Sequence, residues 1–254
     1  MKQHISYIDG IRGCACIMVF INHFLMAFFP ASYLGADAVS HSNAGIDIWY
    51  SQSALSSLTN GNFWVCVFFI VSAFVISLKI MNTTKNNPEK LSGVISNSLI
   101  KRYPRLCFPV FAVCVLIFLC SRLGFFYNNI AAAITGSSLM TGRYATPLSL
   151  SELLSCGFIK IWFLKDETFS NSFWMLSTLF FGGLLSTVLS LMVQKKNRLI
   201  LLIYLFFGLI CIALSSLYLT FVIGTALAYL FVFHNEFIEQ IKGRFSLQIA
   251  AWIL

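Results

Sequence analysis

Six long apolar runs are the feature that most limits what this chain can fold into. A transmembrane helix needs about 20 residues, within a range of roughly 17 to 25, so flanking polar residues must complete the shorter runs. A seventh run begins at Phe245 and has only ten residues before the sequence stops at Leu254, too few for a crossing. We therefore expect the chain to end within a helix and to be incomplete at its C-terminus. The six runs are Cys14–Phe29, Phe63–Leu78, Leu106–Cys120, Phe173–Val193, Leu199–Leu214 and Leu217–Phe233.

The composition excludes most other classes of protein. Hydrophobic residues make up 58% of the chain, charged residues make up 10%, and the mean hydropathy is +0.83. Soluble domains carry about 25% charged residues. An ordinary soluble domain, a disordered chain and a charged coiled coil are thus excluded. The prediction is an all-α, polytopic transmembrane helix bundle with about six complete spans and the start of a seventh, forming a single domain over residues 1–254.

The basic residues predict the orientation of the chain in the membrane. There are 17 basic and 9 acidic residues, which give a net charge of +8. Residues 31–62 contain no Lys or Arg, whereas residues 79–105 contain six. The positive-inside rule explains this distribution without a nucleic-acid partner and places 13 of the 17 basic residues, with the N-terminus, in the cytoplasm. We expect a multi-pass protein of the plasma membrane or an endomembrane, in which the first run is a span rather than a signal peptide.

The segment between the third and fourth spans contains one amphipathic stretch. Its apolar residues recur at helical spacing, which predicts a helix. The simplest interpretation is an interfacial helix on the outer leaflet. A re-entrant or short spanning helix is the alternative, but it would place the basic residues 195–198 outside. The apolar stripe comprises Leu150, Leu153, Leu154, Phe158, Ile161 and Trp162.

Two ionisable residues of the first span form the first candidate site. Arg12 and His23 are eleven residues apart, so they project from one stripe of a helix with a rise of roughly 16 Å between them. An ionisable group within a span is costly and points to function. His23 suits a general base because an unperturbed imidazole titrates near pH 6.5, at about the pH of the cell. A histidine hydrogen-bonded between helices, or one on a proton path, is an equally open interpretation.

Two arginines before the third span form the second candidate site. Arg102 and Arg105, at positions i and i+3, share a helix face next to Lys101. Guanidinium groups bind phosphate in a bidentate manner, so this pair could bind a phosphorylated ligand. Contact with anionic lipid head groups is the alternative.

Several other chemistries have no motif in the chain. Neither G-x-S-x-G, a Walker loop nor G-x-G-x-x-G occurs. The eight cysteines include no C-x-x-C pair, so we expect them to pack as small apolar residues. No metal site is predicted.

Five short motifs follow one another in the order found in a known family of membrane enzymes. On these residues the chain resembles the membrane acyltransferase-3 family, and its eukaryotic, fungal-like branch is nearest. The motifs are Asp9–Gly13 (D-G-I-R-G) followed by His23, Phe68–Phe74 (F-F-I-V-S-A-F), Arg102–Leu106 (R-Y-P-R-L) followed by Pro109, Trp174–Leu176 (W-M-L) and Phe221–Leu230 (F-V-I-G-T-A-L-A-Y-L).

The resemblance implies an acyltransferase with about ten helices that takes an acyl group, most simply acetyl, from cytoplasmic acyl-CoA. The acceptor would be a hydroxyl, often of a carbohydrate. His23 is implied as the catalytic base and Arg12 as a residue that supports catalysis. Arg105, with Arg102 beside it, is implied as a CoA-binding residue. Acyl-CoA is then a co-substrate, and no permanently bound cofactor is expected.

Three departures from the family pattern leave alternatives open. The family usually has glycine at the position of Ala73, an acidic residue at the position of Leu179 and, in bacterial members, aspartate at the position of Cys66. Loss of the carboxylate would remove a hydrogen-bond partner or an acid. The alternatives to an active enzyme are an inactive relative or truncated scaffold, and a proton-coupled transporter with His23 on the proton path.

Overall fold

The chain is all-α in the computed structural model, which describes residues 6–144, 146–193, 197–214 and 216–234. Seven helices of ten or more residues account for most of these ranges, and no strand occurs within them. We number these helices in chain order: α1 Ser6–Phe28, α2 Gly61–Asn86, α3 Leu91–Ile100, α4 Arg102–Arg122, α5 Trp174–Leu191, α6 Arg198–Ala213 and α7 Leu219–Phe233.

The helices confirm the prediction that the apolar runs are helical. Four helical stretches of the described residues are long and apolar enough to cross a membrane: Tyr7–Phe28, Leu55–Asn86, Pro88–Arg122 and Asn171–Leu191. Two shorter apolar helices, Leu199–Ala213 and Leu219–Phe233, correspond to the fifth and sixth runs. The run that begins at Phe245 lies outside the described residues. The chain is thus an integral membrane protein of the helical class.

Short helices connect α1 to α2. They cover Ala31–Leu34, Ile46–Gln52 and Leu55–Leu58, with 3₁₀ turns at Gly35–Asp37 and Asn43–Gly45. Another 3₁₀ turn, Pro88–Lys90, precedes α3, and a short helix at Asn128–Thr135 follows α4. A last 3₁₀ turn, Asn171–Phe173, leads into α5.

The buried carboxylate of Asp47 organises the connection between α1 and α2. It accepts hydrogen bonds from the hydroxyls of Ser40 and Ser42 at 2.5 and 2.6 Å, and from the backbone N–H groups of His41 and Ile48 at 2.9 and 3.0 Å. Burial on its own raises the pKa of Asp47, but these hydrogen bonds outweigh burial and hold the pKa well below its ordinary value.

We expect Asp47→Asn to destabilise the protein near neutral pH, by about 1.5–3 kcal/mol for the lost hydrogen bonds to a charged group. A lowered folded-state pKa contributes stability that is present above the unfolded pKa of about 3.9 and is lost as the pH falls through the folded pKa. The difference from the wild type should therefore shrink in acid. Thermal unfolding of the purified chain in detergent at several pH values measures this, with the exposed Asp37→Asn as control. Equal unfolding temperatures at pH 7 would contradict the account.

The predicted amphipathic stretch is helical but contains a change of register. It comprises an α-helix at Leu150–Ser155, a π-helical turn at Cys156–Lys160 and a last α-helical turn at Ile161–Phe163. A capping box fixes its start, because Ser149 and Glu152 exchange hydrogen bonds between side chain and backbone. Those bonds lower the pKa of the Glu152 carboxyl group.

The residues of the predicted stripe differ in their burial. Leu153, Ile161 and Trp162 are buried, whereas Leu150 and Leu154 are exposed. The π-helical turn departs from the 3.6-residue period, so it rotates Ile161 and Trp162 relative to the residues before the turn. The Trp162 indole N–H donates to the Gly157 carbonyl within the turn at 2.9 Å, which stabilises it.

The chain divides into two compact units, each with its own core. Unit 1 comprises the residues up to Phe68 together with Pro104–Ser177. Its largest fully buried side chains include Trp162, Phe169 and Ile161. The cysteines confirm the packing prediction in part: Cys107, Cys114, Cys156 and Cys211 are buried in their respective units, whereas Cys14 and Cys16 are exposed on α1.

Unit 2 comprises Phe69–Tyr103 and the residues from Thr178 onward. Phe69 and Phe221 pack there with ring centroids 5.0 Å apart, and both are fully buried. Further along the same two helices, a buried hydrogen bond runs from the Ser77 hydroxyl of α2 to the Thr225 hydroxyl of α7, at 3.1 Å. Gly224 lies against the Ile70 carbonyl and Ala73, so the two helices approach closely through small residues.

Candidate active site

His23 is held in one tautomer by the helix that carries it. Its Nδ1 lies 2.8 Å from the carbonyl oxygen of Val19, one turn earlier in α1. A carbonyl only accepts hydrogen bonds, so Nδ1 carries the proton in the neutral imidazole and Nε2 is left as an acceptor. The hydroxyl oxygen of Ser172 lies 3.1 Å from Nε2 and donates to it. The imidazole is thus oriented on one side and faces a hydroxyl on the other.

Both side chains face a cavity of about 140 Å³ that lies within unit 1. This volume is close to the roughly 150 Å³ of an engineered cavity that holds benzene, so the cavity can admit the reacting end of a substrate. Its lining mixes apolar and amide side chains, as small-molecule sites do. The lining residues are Val19, Asn22, His23, Met26, Tyr33, Asn60, Gly61, Asn62, Val65, Ser172, Trp174 and Met175.

Asn22 is the most buried polar side chain of this lining, with 8% of its surface exposed. Its carboxamide makes no hydrogen bond to another described residue, and its N and O atoms are not among the buried polar atoms that lack a partner. Gly61 explains how the amide fits, because a side chain at that position would overlap the Asn22 carboxamide. The amide is therefore available to a molecule in the cavity.

A second cavity of about 140 Å³ lies next to the first, and all but one of its lining residues have a hydroxyl or amide group. Asn22, Tyr33 and Asn60 line both cavities. No charged residue occurs in the second lining, which comprises Asn22, Leu25, Ser32, Tyr33, Ser51, Ser56, Thr59 and Asn60. Such a surface suits a neutral molecule that is itself rich in hydroxyls.

Arg12 does not line either cavity. Its guanidinium lies 5.4 Å from the centre of the Phe68 ring and 4.0 Å from the Asp9 carboxylate, near the start of α1. The helix thus keeps Arg12 and His23 apart along its length, as the spacing predicts. The roles predicted for both residues remain predictions.

Arg102 and Arg105 differ in their surroundings although α4 carries both. The Arg105 side chain is exposed, whereas Arg102 is half-buried and donates from Nη2 to the carbonyl of Leu179 at 2.6 Å. A side chain at Gly183 would overlap the Arg102 guanidinium, so the glycine makes room for it against α5. Arg102 thus binds the backbone of Leu179, the residue that replaces the acidic one of the family pattern. A shared phosphate site for the two arginines stays a prediction.

Sequence reasoning missed two residues of this site. Asn22 offers a sequence signal, because it is an amide inside an apolar run and directly precedes His23. Ser172 offers none, because it is one of three serines and threonines within Thr168–Ser172 and its neighbour in space, His23, is 149 positions away.

A helical integral membrane protein with an oriented histidine facing a hydroxyl, in a cavity lined by amides, has the features of a membrane-embedded group-transfer enzyme. Comparison with known proteins agrees: residues 5–254 match the Acyltransferase domain of the acyltransferase-3 family. The chain belongs to the acyltransferase-3 family.

One curated protein with a related sequence is the acyltransferase clz18 of Cochliobolus lunatus. It is 29% identical to this chain over 153 residues, which is 51% of the chain. The match covers 32% of the length of clz18, so the chain spans about a third of that protein. No solved structure matches the chain.

Proposed function

We propose that this protein transfers an acyl group, most simply acetyl, from cytoplasmic acyl-CoA to a hydroxyl of a neutral acceptor such as a carbohydrate. The observation that supports this best is the hydrogen bond at 3.1 Å between Nε2 of His23 and a hydroxyl in the cavity. A general base must lie about 2.6–3.2 Å from the hydroxyl whose proton it takes. Nε2 of His23 lies within this distance of the Ser172 hydroxyl and can thus accept a proton from a hydroxyl in the cavity, and Val19 fixes the tautomer that this needs.

The size and lining of the two cavities support the choice of substrates. A cavity of about 140 Å³ beside His23 suits a short acyl group better than a fatty acyl chain. The adjoining uncharged cavity suits an acceptor with several hydroxyls, because serine, threonine and asparagine side chains can exchange hydrogen bonds with them. Acyl transfer to such an acceptor releases CoA as the free thiol.

Basic residues support a donor with phosphate groups. In unit 2, Lys79, Lys85, Lys90 and Lys101 are exposed, and in unit 1 Arg105 is exposed. By the positive-inside rule these residues face the cytoplasm, where acyl-CoA is made. Lys85 donates to the Val232 carbonyl at 2.8 Å, and the other four cations can bind a phosphate of CoA without entering the cavity.

The test of this function uses the purified protein in proteoliposomes with acetyl-CoA. We expect the release of free CoA thiol to depend on the protein and on a neutral polyol or sugar acceptor. The same assay without acceptor, and with protein-free liposomes, provides the controls. Solute uptake driven by a pH gradient, without consumption of acetyl-CoA, would contradict the proposal and favour a transporter.

Replacement of Arg105 tests where the donor binds. We expect Arg105→Ala to raise the KM for acetyl-CoA by about 3- to 10-fold with little change in kcat, because an exposed charged contact contributes roughly 1 kcal/mol to binding. Arg122→Ala, at the other end of α4, is the matched control. Initial rates at varied acetyl-CoA concentration measure the effect, and an unchanged KM in Arg105→Ala would contradict this role.

A further inference from the structure

Ser172 and His23 have the geometry of a nucleophile and its base. The serine hydroxyl lies 3.1 Å from Nε2, and the base is oriented in turn by a third group, the Val19 carbonyl 2.8 Å from Nδ1. A hydroxyl within reach of a base that a third group orients is the recurring arrangement of nucleophilic catalysis. The hydroxyl is half-buried and faces the cavity, so a substrate can reach it.

The backbone around Ser172 holds its side chain in place. Ser172 lies in the 3₁₀ turn Asn171–Phe173, and its backbone N–H donates to the Ser170 hydroxyl at 3.3 Å. The turn leads directly into α5, so Ser172 lies at the positive end of the α5 dipole. Negative charge that develops near this end of a helix is stabilised.

Asn22 supplies the remaining element, a hydrogen-bond donor for the oxygen that becomes negative. Its carboxamide is buried, lines the same cavity and binds no other described residue. An amide N–H that donates to the carbonyl oxygen stabilises the tetrahedral intermediates of acyl transfer. Nucleophile, base and amide thus all line one cavity.

We propose that Ser172 carries the acyl group covalently between donor and acceptor. This proposal rests on the acyltransferase function proposed above and specifies its mechanism. In the first half-reaction the Ser172 hydroxyl oxygen attacks the thioester carbonyl while Nε2 of His23 takes the hydroxyl proton. The carbon–sulfur bond breaks, and the CoA thiolate leaves with the proton from His23 as free CoA thiol.

The second half-reaction returns the enzyme to its starting state. The acceptor hydroxyl attacks the acyl-serine ester, and His23 takes its proton. The bond between the acyl carbon and the Ser172 oxygen breaks, and His23 returns the proton to that oxygen. Asn22 donates to the carbonyl oxygen in both steps, so the same three side chains serve the donor and the acceptor in turn.

The test is to incubate the purified chain with acetyl-CoA that carries a labelled acetyl group, without acceptor. We expect a burst of CoA release of up to one equivalent, together with labelled protein whose acetyl group maps to Ser172 by mass spectrometry. Ser172→Ala should lose the label and at least about 100-fold of the transfer rate. Ser155→Ala, whose hydroxyl binds the Glu152 carbonyl away from the cavity, should behave as the wild type.

A second variant distinguishes loss of the nucleophile from loss of folding in Ser172→Ala. Ser172→Cys keeps a nucleophile at the same position and should retain the label as a thioester that neutral hydroxylamine removes. Label at another residue, an unlabelled wild type that still transfers, or full activity in Ser172→Ala would each overturn the proposal. An unlabelled wild type that still transfers, or full activity in Ser172→Ala, would leave the proposed acyltransferase function intact. A wild type that neither takes label nor transfers would contradict both.

Discussion

Replacement of His23 by alanine is expected to lower the rate of acyl transfer by about 10²- to 10⁴-fold, the usual contribution of a general base. Nε2 of the imidazole accepts a hydrogen bond from the Ser172 hydroxyl in the cavity. Alanine has no acceptor at this place, so the hydroxyl proton has no base to take it. The fall should occur in kcat, because the base acts in the transition state rather than in binding. Release of free CoA thiol from acetyl-CoA in the presence of acceptor measures it.

His41 provides the matched control for this variant. It is exposed, and its Nε2 lies 2.8 Å from the Thr135 carbonyl, away from both cavities. His41→Ala should therefore transfer at the wild-type rate. Equal rates for His23→Ala and wild type would remove His23 from the chemistry, and the mechanism built on it would fail.

Replacement of Gly224 by alanine is expected to cost about 3 kcal/mol of folding free energy, at the upper end of the range for an overpacked core. The added methyl group would overlap the carbonyl oxygen of Ile70 and lie 2.7 Å from the Cβ of Ala73. A helix carbonyl cannot rotate away as a flexible side chain can, so α2 and α7 must separate. Since 1 kcal/mol corresponds to about 2–4 °C for a protein of this size, Tm should fall by roughly 6–12 °C.

Gly208 in α6 is the matched control for packing. It is also buried in a helix of unit 2, but an added methyl group would lie 3.7 Å from Leu219, at ordinary contact distance. Gly208→Ala should thus leave Tm within a few degrees of the wild type. Thermal unfolding in detergent compares the two variants, and equal Tm values would contradict the close approach of α2 and α7.

The helices could be predicted from the sequence because a long apolar run strongly favours a transmembrane helix. The apolar runs fix where the spans lie, and the structure turns each described run into a helix. His23 could be singled out in the same way, since placing a titratable residue within a membrane span costs free energy and therefore indicates a functional role. Family membership followed from short motifs in the right order, and the match over residues 5–254 confirms it.

The rest of the site depends on contacts that a sequence pattern does not encode. Ser172 meets His23 only because the turn before α5 folds back onto α1 within unit 1. The register of the stretch after Ser149 could not be predicted either, because a π-helical turn depends on tertiary packing such as the buried Trp162. Periodicity describes single elements, whereas these features arise between elements.

Two of the three departures from the family pattern, those at Ala73 and Leu179, gain a physical explanation from the structure. Ala73 packs against Gly224, so a small residue on the neighbouring helix accommodates its methyl group. Leu179 lacks a carboxylate, but its backbone carbonyl accepts a hydrogen bond from Arg102. Neither change touches the cavity around His23, so neither by itself argues for an inactive relative.

The most direct test of the central claim is a structure of the full chain with a non-hydrolysable thioether analogue of acetyl-CoA. Reacting atoms in a productive complex lie about 3–3.5 Å apart. We expect the acetyl carbonyl carbon at that distance from the Ser172 hydroxyl, with its oxygen facing the Asn22 amide in the cavity beside His23. An acetyl group bound elsewhere, with this cavity empty of the analogue, would contradict the account.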